Sequence, residues 1–525
     1  MRENREASRS PTEDGSMGRV GKAIGRNTMM NDREESDRPV VPTSRRNKVP
    51  SGVADGGEER GLTKGNSDQQ NARRTQRRES APSALERVRS AAIRDRKARF
   101  TALLHHVTVD RLRACYRRVN PKAAAGVDRV TWKEYGMALE DHLRDLHARL
   151  HSGAYRAKPT RRVYIPKTDG RLRPLGIATL EDKIVQSAIV EVMNAIYEPD
   201  FLGFSYGFRP KRSQHQALDA LATGILRKKV NWVLDADIRG FFDAIDHSWM
   251  LEFLKHRIGD TRVLRLVQKW LNAGVMEEGK RVKSEVGTPQ GATVSPLLAN
   301  IYLHYAFDLW AHQWRRKHAR GEIIIVRYAD DFVVGFQDVH DARRFRRELS
   351  ERLRKFSLEL HPEKTRLLRF GRFAAEQRRR RGLGKPETFT FLGLRHICST
   401  TRSGGFLLKR NTDSKRLCAK LKSVKAELRR RMHLPIVQQG AWLRSVIAGY
   451  FNYYAVPTNV TALESFRTQI ARLWFRTLRR RSQRHRLPWE RMTKIVARWL
   501  PSARIRHPWP EERFDVTTRG RSPVR

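Results

Sequence analysis

The stretch "IIIVRYADDFVVGF" (Ile323 to Phe336) constrains this chain more than any other. Two runs of strand-forming apolar residues flank a short polar tip, and the spacing predicts two antiparallel strands joined by a tight turn. The tip carries adjacent carboxylates, Asp330 and Asp331. Turn chemistry alone favours Asn-Gly or Asp-Gly at such a place, and like charges at contact distance repel. A positive partner is therefore expected at the tip.

Charge balance narrows the partner. The chain holds 106 Lys+Arg against 56 Asp+Glu over 525 residues, a formal charge of +50. So large an excess opposes compaction and attracts polyanions, with nucleic acid first and an anionic membrane surface second. The length allows two or three domains with at least one sizeable core. Cys115, Cys398 and Cys418 are scattered singly, without zinc or redox spacing, which suits a reducing compartment. No apolar run approaches the roughly 20 residues that span a membrane, and the charged N-terminus lacks a signal-peptide core. A cytoplasmic protein without membrane partners is expected.

Residues 1–84 contain no aromatic residue and are built of strings such as "NDREESDRPVVPTSRRNK". They cannot bury enough apolar area to offset ordering, so a disordered basic extension is expected. Apolar periodicity starts near Leu85, where "LERVRSAAIRDRKARFTALLHHV" reads as one basic helix. From Lys158 strands and helices mix: "RRVYIPKTDGRLRPLGI" is a hairpin around Asp-Gly, and "LEDKIVQSAIVEVMNAIY" has helical spacing. Near Lys415 the composition shifts to long Arg-rich helices, with Leu443, Ile447, Tyr450 and Tyr454 on one face and Phe466, Ile470, Leu473 and Leu478 on another.

A second acidic element is "VLDADIRGFFDAIDH" from Val233. On a strand Val233, Asp235 and Asp237 share a face, opposite Trp232, Leu234 and Ile238. Asp237 ends an apolar strand and precedes Gly240 and two aromatics, so it is placed to project into a cleft. Beside the Asp330–Asp331 tip it would complete an oxygen-rich, net-negative site suited to Mg²⁺. Two ions about 4 Å apart would activate an attacking 3′-hydroxyl and stabilise departing pyrophosphate. Taken singly, a loop-tip Asp pair is usually solvated and a strand-end Asp usually caps a turn. Together, in a chain of this charge, the metal reading prevails.

With "DIRGFFD", "GTPQGATVSPLLANIYLH" (Gly287 to His304) and "YADD" in that order, the chain resembles the reverse transcriptases encoded by bacterial group II introns. The resemblance runs from about "AAAGVDRVTW" (Ala123) to the "RRSQRHRLPW" region and the tail. It implies an α+β multidomain right-hand polymerase of fingers, palm and thumb, with an α-helical thumb (maturase domain X). The expected division is an extension at 1–84, an N-terminal helix and fingers at 85–225, a palm at 226–397, the thumb at 398–500 and a basic tail at 501–525. It implies RNA-directed DNA synthesis on an RNA template and DNA primer from dNTPs, with intron RNA bound for splicing and retrohoming. Two Mg²⁺ are the implied cofactors, with Mn²⁺ as a substitute.

Carried over residue by residue, Asp237, Asp330 and Asp331 match the metal-binding catalytic triad, with Asp331 the less direct ligand. Lys364, in "LELHPEKTRL", matches a residue that protonates the leaving pyrophosphate. Lys167 and Arg173 match the residues that hold the triphosphate, for which a Lys point charge and an Arg fork are suited. Phe242 matches the ring that excludes a ribose 2′-hydroxyl, with Phe241 as core, and Gln290 in "GTPQG" lies near template and nucleotide. "FTFLGLRH", centred on Gly393, resembles the hairpin that grips the primer end. Arg479, Arg480 and Arg481, interleaved with Trp474, Phe475 and Trp489, are candidate RNA contacts, Trp474 reading rather as core.

Two departures from the family pattern are Ala292, where a second Gly is common, and Thr293, near where Ile is usual. After Leu500 only 25 residues follow, without cysteine, so no HNH nuclease is expected. The alternatives are a splicing-only maturase with a decayed polymerase site, or a domesticated defence-type reverse transcriptase. The intact aspartates weigh against the first and the apparent domain X against the second.

Overall fold

The "LEDKIVQSAIVEVMNAIY" stretch forms a helix over Leu180–Tyr197, opened by the Thr179 hydroxyl accepting the Asp182 N–H. Ile184, Ala188, Val192 and Ile196 are fully buried along it, so this helix is the apolar pillar of the first core. The computed structural model describes residues 83–166, 172–277, 280–282, 286–288, 290–481 and 487–518. The expectation of disorder over 1–84 falls almost wholly outside them. The described fold is α+β.

Among the described residues eleven strands occur. They are β1 (Thr160–Pro166), β2 (Leu172–Ile177), β3 (Trp232–Ala236), β4 (Val275–Glu277), β5 (Lys280–Val282) and β6 (Ile323–Tyr328). Then follow β7 (Asp331–Phe336), β8 (Arg366–Arg369), β9 (Phe389–Phe391), β10 (Leu394–Thr400) and β11 (Phe406–Thr412). They form three sheets, ordered β2-β1-β4-β5, β6-β7-β3-β8 and β11-β10-β9. In the second sheet β7 and β3 run antiparallel from Trp232↔Phe336 to Ala236↔Phe332.

That sheet is covered on both faces, which is why β6 and β7 read as continuous apolar runs rather than alternating ones. Leu234, Ala236, Phe332 and Val334 join the first core with the Leu180–Tyr197 helix. Val233, Val333, Ile324 and Leu368 face a second core shared with the Gln214–Arg227 helix, Phe391, Leu408, Val456 and Phe514. A third core is wholly helical and joins Leu428, Leu443, Ile447, Phe466, Ile470 and Trp474 from the helices Ser414–Arg430, Ile436–Tyr454 and Val460–Arg479. Trp474 is a core residue, its indole N–H donating to Gln439 Oε1 at 2.7 Å.

Four expectations are corrected. The basic helix from Leu85 stops at Arg94, and a short 3-10 turn follows only at Leu104–His106. Its end is fixed by Arg257, whose guanidinium donates to the carbonyls of Ala92, Asp95 and Ala98. The boundary expected at 397/398 lies inside β10, and the helical region starts at Ser414 after the β10–β11 hairpin. The boundary at 225/226 lies in the last turn of the Gln214–Arg227 helix. Residues 501–518 are not a loose tail: a helix over Pro510–Thr518 returns to that same helix, with Phe514 buried and Arg513 paired to buried Asp219.

Candidate active site

Asp237 follows β3 directly, and Asp331 opens β7, one step beyond the last Ala236↔Phe332 pair on each strand. Adjacent antiparallel strands thus bring the two acidic motifs to one sheet end. The backbone of Asp237 is tied down, its carbonyl accepting from His361 N–H at 2.8 Å. That contact leads into the segment carrying Lys364, whose ammonium pairs with the Asp237 carboxylate. Two residues on, Arg366 pairs with Asp235 at 3.2 Å.

The β6–β7 connection is as tight as expected, Tyr328 and Asp331 forming its last pair. Its left-handed position falls on Ala329, at φ +58°, where no glycine is present. Such a conformation costs an L-residue energy and persists only when surroundings enforce it. The surroundings do so from below. Arg327, fully buried, donates through Nε to Asp308 Oδ1 at 2.7 Å and through Nη2 to Asp308 Oδ2. Its Nη1 donates to the Ala329 carbonyl at 2.9 Å and to Asn300 Oδ1 at 3.1 Å. Asn300 in turn donates to the Gly207 carbonyl at 2.7 Å.

The electrostatics answer the question raised by the paired acids. Burial raises the Asp330 carboxyl, and the Asp237 charge raises it further, against Arg173 and Lys364. Asp331 keeps a solvent-facing edge, yet its crowded setting still desolvates it. That desolvation, followed by the charges of Asp330, Asp237 and Asp235, pushes it up to about 7. Arg416, at the start of the helical region, is a positive charge that opposes this shift at Asp331. Both acids therefore hold their charge less readily than an ordinary carboxyl. Among the described residues no group of three or more His, Cys, Asp or Glu side chains is close enough to hold a metal by itself. The donor chemistry still suits Mg²⁺, which takes one or two carboxylates and completes its shell from phosphates and water.

Beside the acids lies the "GTPQG" loop. Gly287 N–H donates to the Ile245 carbonyl and Thr288 N–H to the Phe242 carbonyl, each at 2.7 Å. On its other side the Gln290 carbonyl accepts from Gly176 N–H at 2.7 Å, and its Oε1 accepts from Arg173 Nε at 2.9 Å. Gly291 allows this approach: at φ +112°, a Cβ there would stand 2.8 Å from the Gly176 carbonyl oxygen. Phe242 is half-buried beside this loop, whereas Phe241 is 2% exposed in the core.

The structure therefore brings together Asp237, Asp330, Asp331, Lys364 and Arg173, with Gln290 bonded to Arg173. Lys167 lies outside the described residues. Of the three distant arginines, Arg479 and Arg480 are exposed, but Arg481 is not a solvated charge: its guanidinium donates to the carbonyls of Met432 and Leu434. Sequence reasoning missed Arg327, Asp308, Asn300 and Arg416. The first had a signal, a charged residue inside an otherwise apolar run that covers both faces of a sheet.

The reverse transcriptase (RNA-dependent DNA polymerase) family matches residues 165–396. Protein YkfC of Escherichia coli is 37% identical over 238 residues, 40% of this chain and 62% of that protein. The group II intron-encoded protein LtrA of Lactococcus lactis is 40% identical over 182 residues, 34% of this chain and 30% of LtrA. The putative COX1/OXI3 intron 1 protein of Saccharomyces cerevisiae is 26% identical over 424 residues, 68% of this chain and 50% of that protein. The chain thus spans less than two thirds of the length of these curated relatives. Residues 165–396 thus match the reverse transcriptase family, and part of the chain is similar in sequence to a group II intron-encoded protein.

Proposed function

We propose that this protein is an RNA-directed DNA polymerase that extends a DNA primer on an RNA template and also binds group II intron RNA as a maturase, in splicing and retrohoming. The observation that carries the polymerase reading is the meeting of Asp237, Asp330 and Asp331 at one sheet end, where burial and neighbouring negative charge raise the Asp330 and Asp331 carboxyls. In this reading the β6-β7-β3-β8 sheet is the palm, the β2-β1-β4-β5 sheet and its helices the fingers, and the helices from Ser414 the thumb.

Asp237 and Asp330 would hold the divalent ions, with Asp331 less directly involved. When bound, Mg²⁺, or Mn²⁺ in its place, would supply Lewis-acid activation of the primer 3′-hydroxyl and charge neutralisation at the departing pyrophosphate. The Arg173 fork, oriented by Gln290, binds triphosphate oxygens, with Lys167 as a second cation. The Lys364 ammonium, held at Asp237, carries the proton for the leaving pyrophosphate. The Phe242 ring excludes a 2′-hydroxyl. The helical region supplies exposed Arg479 and Arg480 to intron RNA.

Asp330→Asn tests the reading. The variant should fold and bind RNA as the parent does, yet extend no primer on an RNA template. Near-normal cDNA synthesis would remove the site assignment, and loss of the polymerase with intact intron binding would leave the maturase role standing.

A further inference from the structure

The ion pair beneath the β6–β7 turn is poorly explained as a stabiliser. Arg327 and Asp308 side chains are both 0% exposed. Taking two ions out of water is costly, and an apolar pair of the same volume often serves stability as well. An apolar pair cannot hold a carbonyl. Arg327 does, at Ala329, the residue in the left-handed conformation immediately before Asp330.

The other members of the cluster fit that task. Asp308 closes a π-helical stretch, His304–Asp308, between the helices Ser295–Leu303 and Leu309–Lys317. Such irregular turns are frequent at functional sites, and this one places a carboxylate under both Arg327 nitrogens that face it. Asn300, a residue of the preceding helix, bonds Arg327 and the Gly207 carbonyl at once. The Gly207 backbone lies against the turn so closely that a Cβ there would sit 2.2 Å from Ala329 N. Strand β6 is itself anchored at Arg327, whose N–H donates to the Phe204 carbonyl at 2.9 Å and whose carbonyl accepts from Tyr206 N–H at 2.8 Å.

We propose that Arg327, clamped by Asp308 and oriented by Asn300, is a positioning residue that holds the Ala329 turn in the shape setting Asp330 and Asp331 against Asp237. It touches neither metal nor nucleotide. The proposal rests on the reading of those carboxylates as the polymerase centre.

The test is the double variant Arg327→Met with Asp308→Leu, which removes both charges together and leaves neither ion buried alone. Its melting temperature should stay near that of the parent, because the costly desolvation goes with the pair. Its kcat for primer extension should fall on the order of 10²-fold, the effect of a misplaced reacting group, at unchanged KM for dNTP. Mn²⁺ binding to the nucleic-acid-free protein, read by electron paramagnetic resonance, should weaken in parallel. A folded double variant with parental kcat and Mn²⁺ binding overturns the proposal. Should the double variant fail to fold, Arg327→Lys decides: it keeps the charge opposite Asp308, but a single nitrogen on a shorter reach does not reproduce the planar fork whose Nε, Nη1 and Nη2 meet Asp308, Asn300 and Ala329 from separate positions. A kcat loss at unchanged KM then supports the role, and parental kcat overturns it. Asp330→Asn assayed alongside separates the two readings. If it is active, the catalytic assignment fails and the positioning role falls with it. If it is inactive while the double variant is fully active, only the positioning role is lost.

Discussion

Gly207→Ala puts a single methyl against the turn from outside the candidate site residues. Its Cβ would lie 2.2 Å from Ala329 N, 2.9 Å from the Tyr328 carbonyl carbon and 3.0 Å from Ala329 Cα. All three are backbone atoms, so no side chain can rotate away. Ordinary contact starts near 3.4 Å, so the two segments must part by about 1.2 Å. Overpacking of this kind costs about 1–3 kcal/mol of stability. The functional cost is larger, because the displaced atoms adjoin Asp330. A misplacement of about 1 Å at a reacting centre costs on the order of 10²-fold in rate, which is about 2.7 kcal/mol of barrier. Steady-state primer extension on an RNA template, with a thermal melt of each protein, measures both. Gly384→Ala is the control, since a Cβ there meets nothing within 4 Å. Parental kcat in a folded Gly207→Ala protein would refute the reasoning, because it would mean that the turn can shift without consequence.

Phe242→Val should admit ribonucleotides, raising rNTP incorporation relative to dNTP while polymerisation persists; unchanged discrimination would exclude a steric role for the ring. Arg479→Ala with Arg480→Ala should lower the slope of log K against log salt for intron RNA by about 1.4, at about 0.7 per phosphate contact on single strands. Arg481→Ala should instead lower the melting temperature and leave that slope alone, since its guanidinium is spent on the carbonyls of Met432 and Leu434. Phe514→Ala should cost about 3–5 kcal/mol, the usual result of emptying a buried aromatic site, read as a loss of denaturation midpoint. A midpoint within error of the parent would mean that the Pro510–Thr518 helix does not seal the second core.

What the sequence made legible was whatever local pattern and spacing control. The Leu180–Tyr197 helix shows its buried face at every fourth residue, and the β6–β7 hairpin announces itself by two apolar runs about a polar tip. The acids at that tip could be matched to Asp237 because each ends or begins a strand. Contacts made only by folding left no such trace. Asn300, Asp308 and Arg327 come from one helix, one π-helical turn and one strand, and no spacing rule joins them. Arg481 looked like its exposed neighbours because composition cannot tell a solvated guanidinium from one bonded to distant carbonyls. The first helix was read too far because what ends it is Arg257, more than a hundred residues away.

The return of the Pro510–Thr518 helix sets a timetable for synthesis. Arg513 pairs with Asp219 across 294 residues of chain. At about 5–20 residues per second a ribosome takes roughly 15–60 s to bridge that interval. Until then the flank of the sheet that Phe514 will cover stays open, and Asp219 waits with Arg410, itself made late, as its other partner. A product interrupted before residue 514 would display that apolar flank to chaperones and proteases. Completion of the β6-β7-β3-β8 sheet's cover is thereby tied to completion of the helices from Ser414 and the segment beyond them, so that a nascent chain missing its helical half is also the least protected from destruction.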